Sequence, residues 1–169
     1  MAAVKRPTLK VSSGSGLFRN DHFQLAYATN DIERALTLFS DRYGIKEYRR
    51  LEGPLQRGGD IRLELAWVGG VMMGVLQATG PGADFYNAVL PSNGFAVRFH
   101  HLGYFIQDQA GWDALQKEIE QGGWKVVLRT NAPGFMQGCI IEVPELGHYI
   151  EYVFPEAAGI AFFEGVPAS

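Results

Sequence analysis

The sequence contains little of what several classes of protein need. It has one cysteine, Cys139, so no disulfide can form within the chain, and a reducing compartment is favoured. No apolar run approaches the ~20 residues of a membrane-spanning helix. Its 15 basic and 18 acidic residues give a net charge of -3. Without a basic excess or cluster, neither a nucleic acid nor an anionic membrane is an expected partner.

The first residues do not have the pattern of a secretory signal. Basic residues come early in residues 1–20, but no hydrophobic segment follows them, as a cleaved secretory signal would require. We interpret residues 1–20 as a flexible lead and expect a cytoplasmic protein. The overall composition, with 47% hydrophobic and 20% charged residues, is typical of a globular chain.

What the sequence does contain is an internal repeat. The segment QLAYATND, residues 24–31, aligns with HLGYFIQD, residues 101–108, at an offset of 77 residues. A second pair, ELAWVGGVMMG and IEVPELGHYIE, residues 64–74 and 141–151, keeps the same offset. Few positions are identical, so it is the constant spacing that indicates two similar units in succession.

Each half predicts the same order of elements, β-α-β-β-β. A short apolar strand is followed by a helix with apolar residues on one face, which Asn30 or Asp31 can cap in the first half. Three strands follow, and glycine-containing turns join the last two. The predicted divisions are a lead (1–20), a first module (21–77), a connector with a helical turn at 84–89 (78–96), a second module (97–155) and a tail (156–169).

This pattern predicts an α+β fold with one structural domain of two repeats. The two βαβββ modules would form a curved, cup-shaped mixed sheet. The helices would cover the convex side of the sheet and leave the concave side free for a ligand.

The alternation of side chains along a strand predicts which residues face the cup. Successive residues of a strand point to opposite faces, so we expect His101 in the cup and His100 beneath a helix. The same alternation places Glu151 in the cup. Further residues expected to bind substrate there are Phe99, Met72, Leu76 and Tyr149 as walls, Arg62 as a partner for a carboxylate, and His22.

The stretches FHHLGYFIQD and LGHYIEYVF resemble the vicinal oxygen chelate superfamily, which includes glyoxalase I, methylmalonyl-CoA epimerase, extradiol dioxygenases and bleomycin-resistance proteins. The resemblance covers about residues 21–155 and is nearest to the epimerase-like and glyoxalase-like members. It implies one divalent metal ion in the cup, with Gln24, His101 and Glu151 as ligands. The fourth ligand position falls on Gly74, which has no side chain. Zn, Co, Ni, Mn and Fe are not distinguished by these ligands.

Glu64 is a candidate to replace this missing ligand. It lies on the strand next to Gly74 and is predicted on the same face, nearly opposite the glycine. One interpretation is therefore that Glu64 is a replacement ligand or a general base. The alternative is a surface glutamate on a half-exposed strand.

The function that the resemblance implies is a metal-dependent isomerase, epimerase or lyase acting next to a carbonyl group. The metal would stabilise the enolate formed when Glu151 or Glu64 removes a proton beside that carbonyl. The apolar walls favour a small hydrophobic or aromatic carbonyl-containing substrate. The architecture of the superfamily is also compatible with a homodimer.

The sequence is also compatible with three other functions. An extradiol-type ring-cleaving dioxygenase requires two histidines and a carboxylate for Fe(II), and Gln24 stands where the first histidine would be, with His22 as a weak substitute. A metal-free binding or resistance protein is favoured by Gly74 at a ligand position. A non-catalytic partner protein would use the cup for interaction with another macromolecule.

Overall fold

A computed structural model describes residues 16–18 and 21–169 of the chain. Most of the predicted lead, residues 1–20, lies outside the described residues. The strands are β1 (Asp21–Thr29), β2 (Arg49–Pro54), β3 (Asp60–Val68), β4 (Val71–Thr79), β5 (Val97–Phe105), β6 (Val126–Ala132), β7 (Met136–Val143) and β8 (His148–Pro155). The helices are α1 (Ile32–Tyr43), α2 (Asp84–Asn87), α3 (Gln109–Gln121) and α4 (Ala157–Glu164).

The eight strands form one mixed sheet in the order β2-β3-β4-β1-β5-β8-β7-β6. Within each half, the first strand pairs in parallel with the last, β1 with β4 and β5 with β8. The two halves join through the antiparallel pair of β1 and β5. The predicted α+β class, with two βαβββ modules in one curved sheet, is therefore confirmed.

The convex side of the sheet carries α1 and α3, as the apolar stripes predicted. Asp31 and Asp108 cap these helices, because each side chain accepts a hydrogen bond from a backbone N–H three residues later. α1 ends at Gly44, whose φ of 75° is a left-handed conformation that glycine adopts at little cost. In the described part of the chain, no helix is long and apolar enough to cross a membrane. The buried faces of α1 and α3 consist of Ile32, Ala35, Phe39, Trp112, Leu115 and Ile119.

The concave side is not free of helices, which corrects the prediction that all helices lie on the convex side. Tyr86 of α2 packs in one cluster with Ala26 and Leu76 on the floor of the cup. At the other end, Phe163 of α4 packs with Met72 and with other floor residues. The region predicted as a tail thus contains a helix, whose almost entirely apolar sequence is typical of a buried helix.

Hydrogen bonds fix both ends of the cup. The N–H of Trp67 donates to the carbonyl of Pro167 and the N–H of Ser169 donates to the carbonyl of Trp67, both at 2.8 Å, so the residues after α4 extend the sheet beside β3. At the far mouth, the Gln56 side chain donates to the Arg129 carbonyl at 2.8 Å. This contact joins the β2–β3 loop to β6 across the opening of the curved sheet.

Two irregularities in the β1–β5 pairing change the predicted orientation of several side chains. His22 pairs with Tyr104 and Gln24 pairs with Gly103, so Phe23 is an extra residue on β1. An extra residue of this kind is a β-bulge, which locally breaks the alternation of faces. His22 is consequently exposed and contacts the Tyr104 ring on the convex side. The prediction that His22 lies in the cup is wrong.

The second bulge lies at the paired histidines. Ala26 pairs with His101 and Tyr27 pairs with Phe99, so His100 is the extra residue on β5. Phe99 follows Tyr27 to the convex side, where their rings meet edge to face at 5.8 Å. The predictions that Phe99 lines the cup and that His100 packs beneath a convex-side helix are therefore both wrong.

Glu64 and Arg62 also lie on the convex side, contrary to prediction. Across the β3–β4 hairpin, Leu65 and not Glu64 stands opposite Gly74, and this one-residue difference reverses the face. The buried Glu64 carboxylate accepts hydrogen bonds at 2.7 Å from Arg50 and from Arg62. Arg62 also pairs with Glu33 of α1. Glu64 is thus part of an ion network that ties the edge of the sheet to α1.

We predict that the Glu64→Gln substitution destabilises the fold without affecting the cup. Removing the charge leaves two arginines without their shared partner, and because both are partly exposed we expect a loss of about 1–3 kcal/mol. Chemical denaturation measures this loss. Glu52→Gln is the matched control. Glu52 is 62% exposed and its pair with Arg50 is long, at 3.8 Å, so this substitution should change stability by less than about 0.5 kcal/mol. Equal effects of the two substitutions would contradict the network.

We predict a large effect of Phe163→Ala and a small effect of Ile160→Ala, although both residues belong to α4. Phe163 is 8% exposed and packs among floor residues, whereas Ile160 is 46% exposed. Truncation of Phe163 should lower the free energy of unfolding by about 3–5 kcal/mol, and truncation of Ile160 by less than about 1 kcal/mol. Urea unfolding of the two variants compares them directly. Equal losses would show that α4 is not docked in the cup.

Candidate functional site

The middle of the cup holds the polar residues that the sequence singled out. Gln24 on β1, Gly103 on β5 and Glu151 on β8 stand opposite one another in register. His101 lies two residues before Gly103 and points to the same face of the sheet. The structure therefore brings Gln24, His101 and Glu151 together on the concave side.

His101 and Glu151 approach each other closely without forming a hydrogen bond. The distance from His101 Nε2 to Glu151 Oε2 is 3.2 Å, and the side chains are 4% and 21% exposed. His101 Nε2 is buried and has no hydrogen-bond partner among the described residues. An orphaned nitrogen beside a carboxylate oxygen is costly in a buried position, so this pair of atoms is suited to hold a third group.

Gln24 lies flat on the floor of the cup between two glycines. A Cβ atom added at Gly74 would lie 2.7 Å from Gln24 Nε2, and one added at Gly103 would lie 2.9 Å from Gln24 Oε1. Both distances are shorter than a Cβ atom normally shows to a neighbouring atom. Glycine at both positions therefore leaves room for the Gln24 side chain where it lies. The space vacated at Gly74 is therefore filled by Gln24, which is 2% exposed.

His100 belongs to the same site because of the bulge. It is fully buried, and its Nδ1 atom lies 2.8 Å from His101 Nδ1. Its Nε2 atom lies 3.3 Å from the carbonyl oxygen of Phe85, just inside α2. Burial and then the neighbouring His101 lower the pKa of His100 to about 3, so the ring is neutral at physiological pH.

Aromatic side chains wall the site on the α2 side. Tyr149 points into the cup, and its ring stacks on His100 at 4.8 Å. Tyr86 stacks on the same imidazole at 5.6 Å. Burial, and to a smaller extent the charge of Glu151, raises the pKa of Tyr86, so its phenol remains protonated. Tyr86 was not predicted as a site residue, because the sequence shows only that it follows Phe85 in the connector.

Met72 and Leu76 do point to the concave side, but they do not form an open pocket wall. They are 0% and 1% exposed because α4 covers the first and α2 covers the second. One open space lies further towards the mouth. There, a cavity of about 410 Å³ between the β2–β3 loop, α2 and β6 is lined in part by Phe85, Tyr86, Arg57 and Lys125.

The donor atoms of the site fit a divalent cation with few protein ligands. Two ligands about 2.0–2.2 Å from a shared ion lie about 2.8–3.6 Å apart when the angle between them is between octahedral and tetrahedral, and the 3.2 Å between Nε2 and Oε2 is within that range. The described residues contain no group of three or more His, Cys, Asp or Glu side chains that could hold a metal. A cation would therefore rely on His101, Glu151 and the weaker amide oxygen of Gln24.

No protein-family model and no curated protein sequence matches the chain. Methylmalonyl-CoA epimerase from Mycobacterium tuberculosis is similar, with a TM-score of 0.58 and 15% identity over 88% of this chain and 95% of its own. The Streptomyces coelicolor epimerase in complex with 2-nitronate-propionyl-CoA has the same score and identity over 82% of this chain and 99% of its own.

A third solved structure is methylmalonyl-CoA epimerase in complex with methylmalonyl-CoA and NH4+, again with a TM-score of 0.58 and 15% identity, over 82% of this chain and 96% of its own. A likeness at this level of identity establishes the architecture of the chain. The strand order, the two modules and these superpositions agree, and the resemblance noted in the sequence is confirmed to that extent. The chain has the same fold as these methylmalonyl-CoA epimerases.

Proposed function

We propose that this protein is a metal-dependent enzyme that removes a proton next to the carbonyl group of a small molecule, as an isomerase or epimerase does. The observation that carries the proposal is the contact of His101 Nε2 and Glu151 Oε2 at 3.2 Å without a hydrogen bond. A ring nitrogen and a carboxylate oxygen at this distance can hold a cation between them. The same concave face carries the amide of Gln24 as a third donor.

The residues divide into holding and proton-transfer roles. His101, Glu151 and Gln24 would hold the cation, and when bound it would supply Lewis-acid polarisation of the substrate carbonyl. Glu151 presents one carboxylate oxygen to His101, and its other oxygen is the proposed proton acceptor. Its 21% exposure allows the proton to exchange with solvent. Glu64 has no part in this chemistry, because it lies across the sheet.

The proposed substrate is an acyl thioester or a similar carbonyl compound with a long polar extension. Two of the similar structures hold CoA-linked molecules, as their names state. In this chain the cavity of about 410 Å³ leads from Phe85 and Tyr86 to the mouth of the cup. Arg57 and Lys125 at that cavity could pair with phosphate groups on the extension. The aromatic walls beside Glu151 suit an apolar acyl end.

A metal-free binding protein is the second candidate. Gly74 favours it, because the position lacks any ligand atom and its space is filled by Gln24. The dioxygenase alternative loses its support, since His22 lies outside the cup and both nitrogens of His100 already have partners. The metal content of the purified chain separates the first two candidates.

The first prediction concerns metal binding. Co2+ added to metal-free protein should bind one ion per chain, and His101→Ala or Glu151→Gln should each weaken binding at least ~100-fold, because each removes one of two strong ligands. Calorimetry measures the affinity. Glu142→Gln is the control, since Glu142 pairs with Lys125 at the rim. Binding that is absent in the natural chain, or unchanged in both site variants, would favour the metal-free binding protein.

The second prediction concerns proton exchange. With Co2+ present, the natural chain in D2O should incorporate deuterium beside the carbonyl of a 2-methyl-branched acyl-CoA, as followed by mass spectrometry. Glu151→Gln should lower the rate by ~100-fold or more, because it removes the proton acceptor. Glu64→Gln serves as the control carboxylate and should exchange normally. Exchange that is equally fast in the two variants would contradict the role of Glu151.

The third prediction concerns the glycine floor. Gly74→Ala would place a Cβ atom 2.7 Å from Gln24 Nε2 and displace the amide. We expect Co2+ affinity to fall by ~10-fold while the fold persists, because the far end of Gln24 is flexible and can move aside. Gln24→Ala should produce a similar loss. A Gly74→Ala variant with natural affinity would show that Gln24 is not a ligand.

A further inference from the structure

The two adjacent histidines form a directed chain of hydrogen bonds. Their Nδ1 atoms are 2.8 Å apart and their rings are nearly perpendicular, at 83°. In a neutral imidazole one nitrogen carries a proton and the other accepts. One of the two Nδ1 atoms must therefore donate and the other must accept, and the contact alone does not say which.

The direction is decided at the other side of the His100 ring. His100 Nε2 lies 3.3 Å from the carbonyl oxygen of Phe85, which can only accept a hydrogen bond. Nε2 of His100 must then carry the proton, and its Nδ1 atom is left as an acceptor. The donor to that atom is the Nδ1–H of His101. In a neutral His101 ring the remaining nitrogen, Nε2, is then unprotonated and presents a lone pair to Glu151.

The His100 ring cannot easily turn to reverse this order. It is fully buried and lies between two aromatic rings, Tyr86 at 5.6 Å and 24° and Tyr149 at 4.8 Å and 28°. A flip of the ring would carry Nδ1 away from His101 and Nε2 away from Phe85. Packing and both hydrogen bonds thus favour one orientation.

We propose that His100 is a positioning residue that holds His101 in the Nδ1–H tautomer, so that His101 Nε2 is available to a cation shared with Glu151. The inference rests on the proposed function for the identity of the bound group. The tautomer itself follows from the backbone carbonyl of Phe85 and the geometry of the two rings. Second partners of this kind commonly change metal affinity by ~10–100-fold.

The test is long-range 1H–15N NMR of the metal-free, 15N-labelled full chain at neutral pH. The chain has four histidines, so His22→Gln and His148→Gln variants assign the signals of the exposed and rim rings. We expect a protonated Nδ1 and an unprotonated Nε2 for His101, and the reverse for His100. A different protonation pattern at His101 would overturn the inference.

Two substitutions of His100 separate positioning from packing. His100→Phe keeps a buried ring between the tyrosines but removes the acceptor, so the proton of His101 should move to Nε2 and Co2+ affinity should fall by ~10–100-fold. His100→Asn retains an acceptor oxygen near the position of Nδ1, and should keep the natural tautomer and an affinity within ~3-fold of the natural chain. If His100 served only to fill space between the tyrosines, His100→Phe should retain more Co2+ affinity than His100→Asn, which is the opposite result.

The outcomes are distinct from those that test the function. If His100→Phe leaves the His101 signals unchanged, the positioning role is wrong whatever the protein catalyses. If His100→Phe does not fold, the natural spectrum and the His100→Asn variant still decide. If Co2+ binds neither the natural chain nor any variant, the proposed function fails, while the NMR result stands on its own.

Discussion

The antiparallel pairing of β1 with β5 is the constraint on which the rest of the structure depends. It is the only hydrogen-bonded strand pair that joins the two modules within the described sheet, and it contains both bulges. Each bulge brings two consecutive residues to the concave side, Phe23 with Gln24 on β1 and His100 with His101 on β5. Without the second bulge the two imidazoles would lie on opposite faces, and neither their contact nor the link to Phe85 would exist.

The cup then encloses a few polar atoms in largely apolar surroundings. α2 closes it near His100 and α4 closes it near Met72, so the centre is sheltered from water. In such surroundings a satisfied chain of hydrogen bonds is rigid, whereas an unsatisfied atom is costly. His100 is satisfied at both nitrogens, and His101 at one. The polar atom of the site that lacks a hydrogen-bond partner among the described residues is therefore His101 Nε2, beside Glu151.

Charge is divided between the two faces of the same sheet by register. The convex side holds the Glu64 network, in which two arginines pair with Glu64 and with Glu33 of α1. The concave side holds Glu151 without an arginine at hydrogen-bond distance among the described contacts. A shift of one residue in the register of β3 would move Glu64 to the concave side. One carboxylate consequently belongs to an ion network, and the other lies beside His101 in the cup.

The sequence alone determined the repeat, the order of elements, the two convex helices and the placement of Gln24, His101 and Glu151 in the cup, because these depend on local periodicity. It could not place Phe99, His22, His100, Glu64 or Arg62 correctly. A bulge or a one-residue register reverses the face of a side chain, and both are set by how strands from distant parts of the chain pair. The docking of α2 and α4 on the concave side was likewise decided only by the tertiary structure, since an apolar segment shows that it is buried but not what buries it.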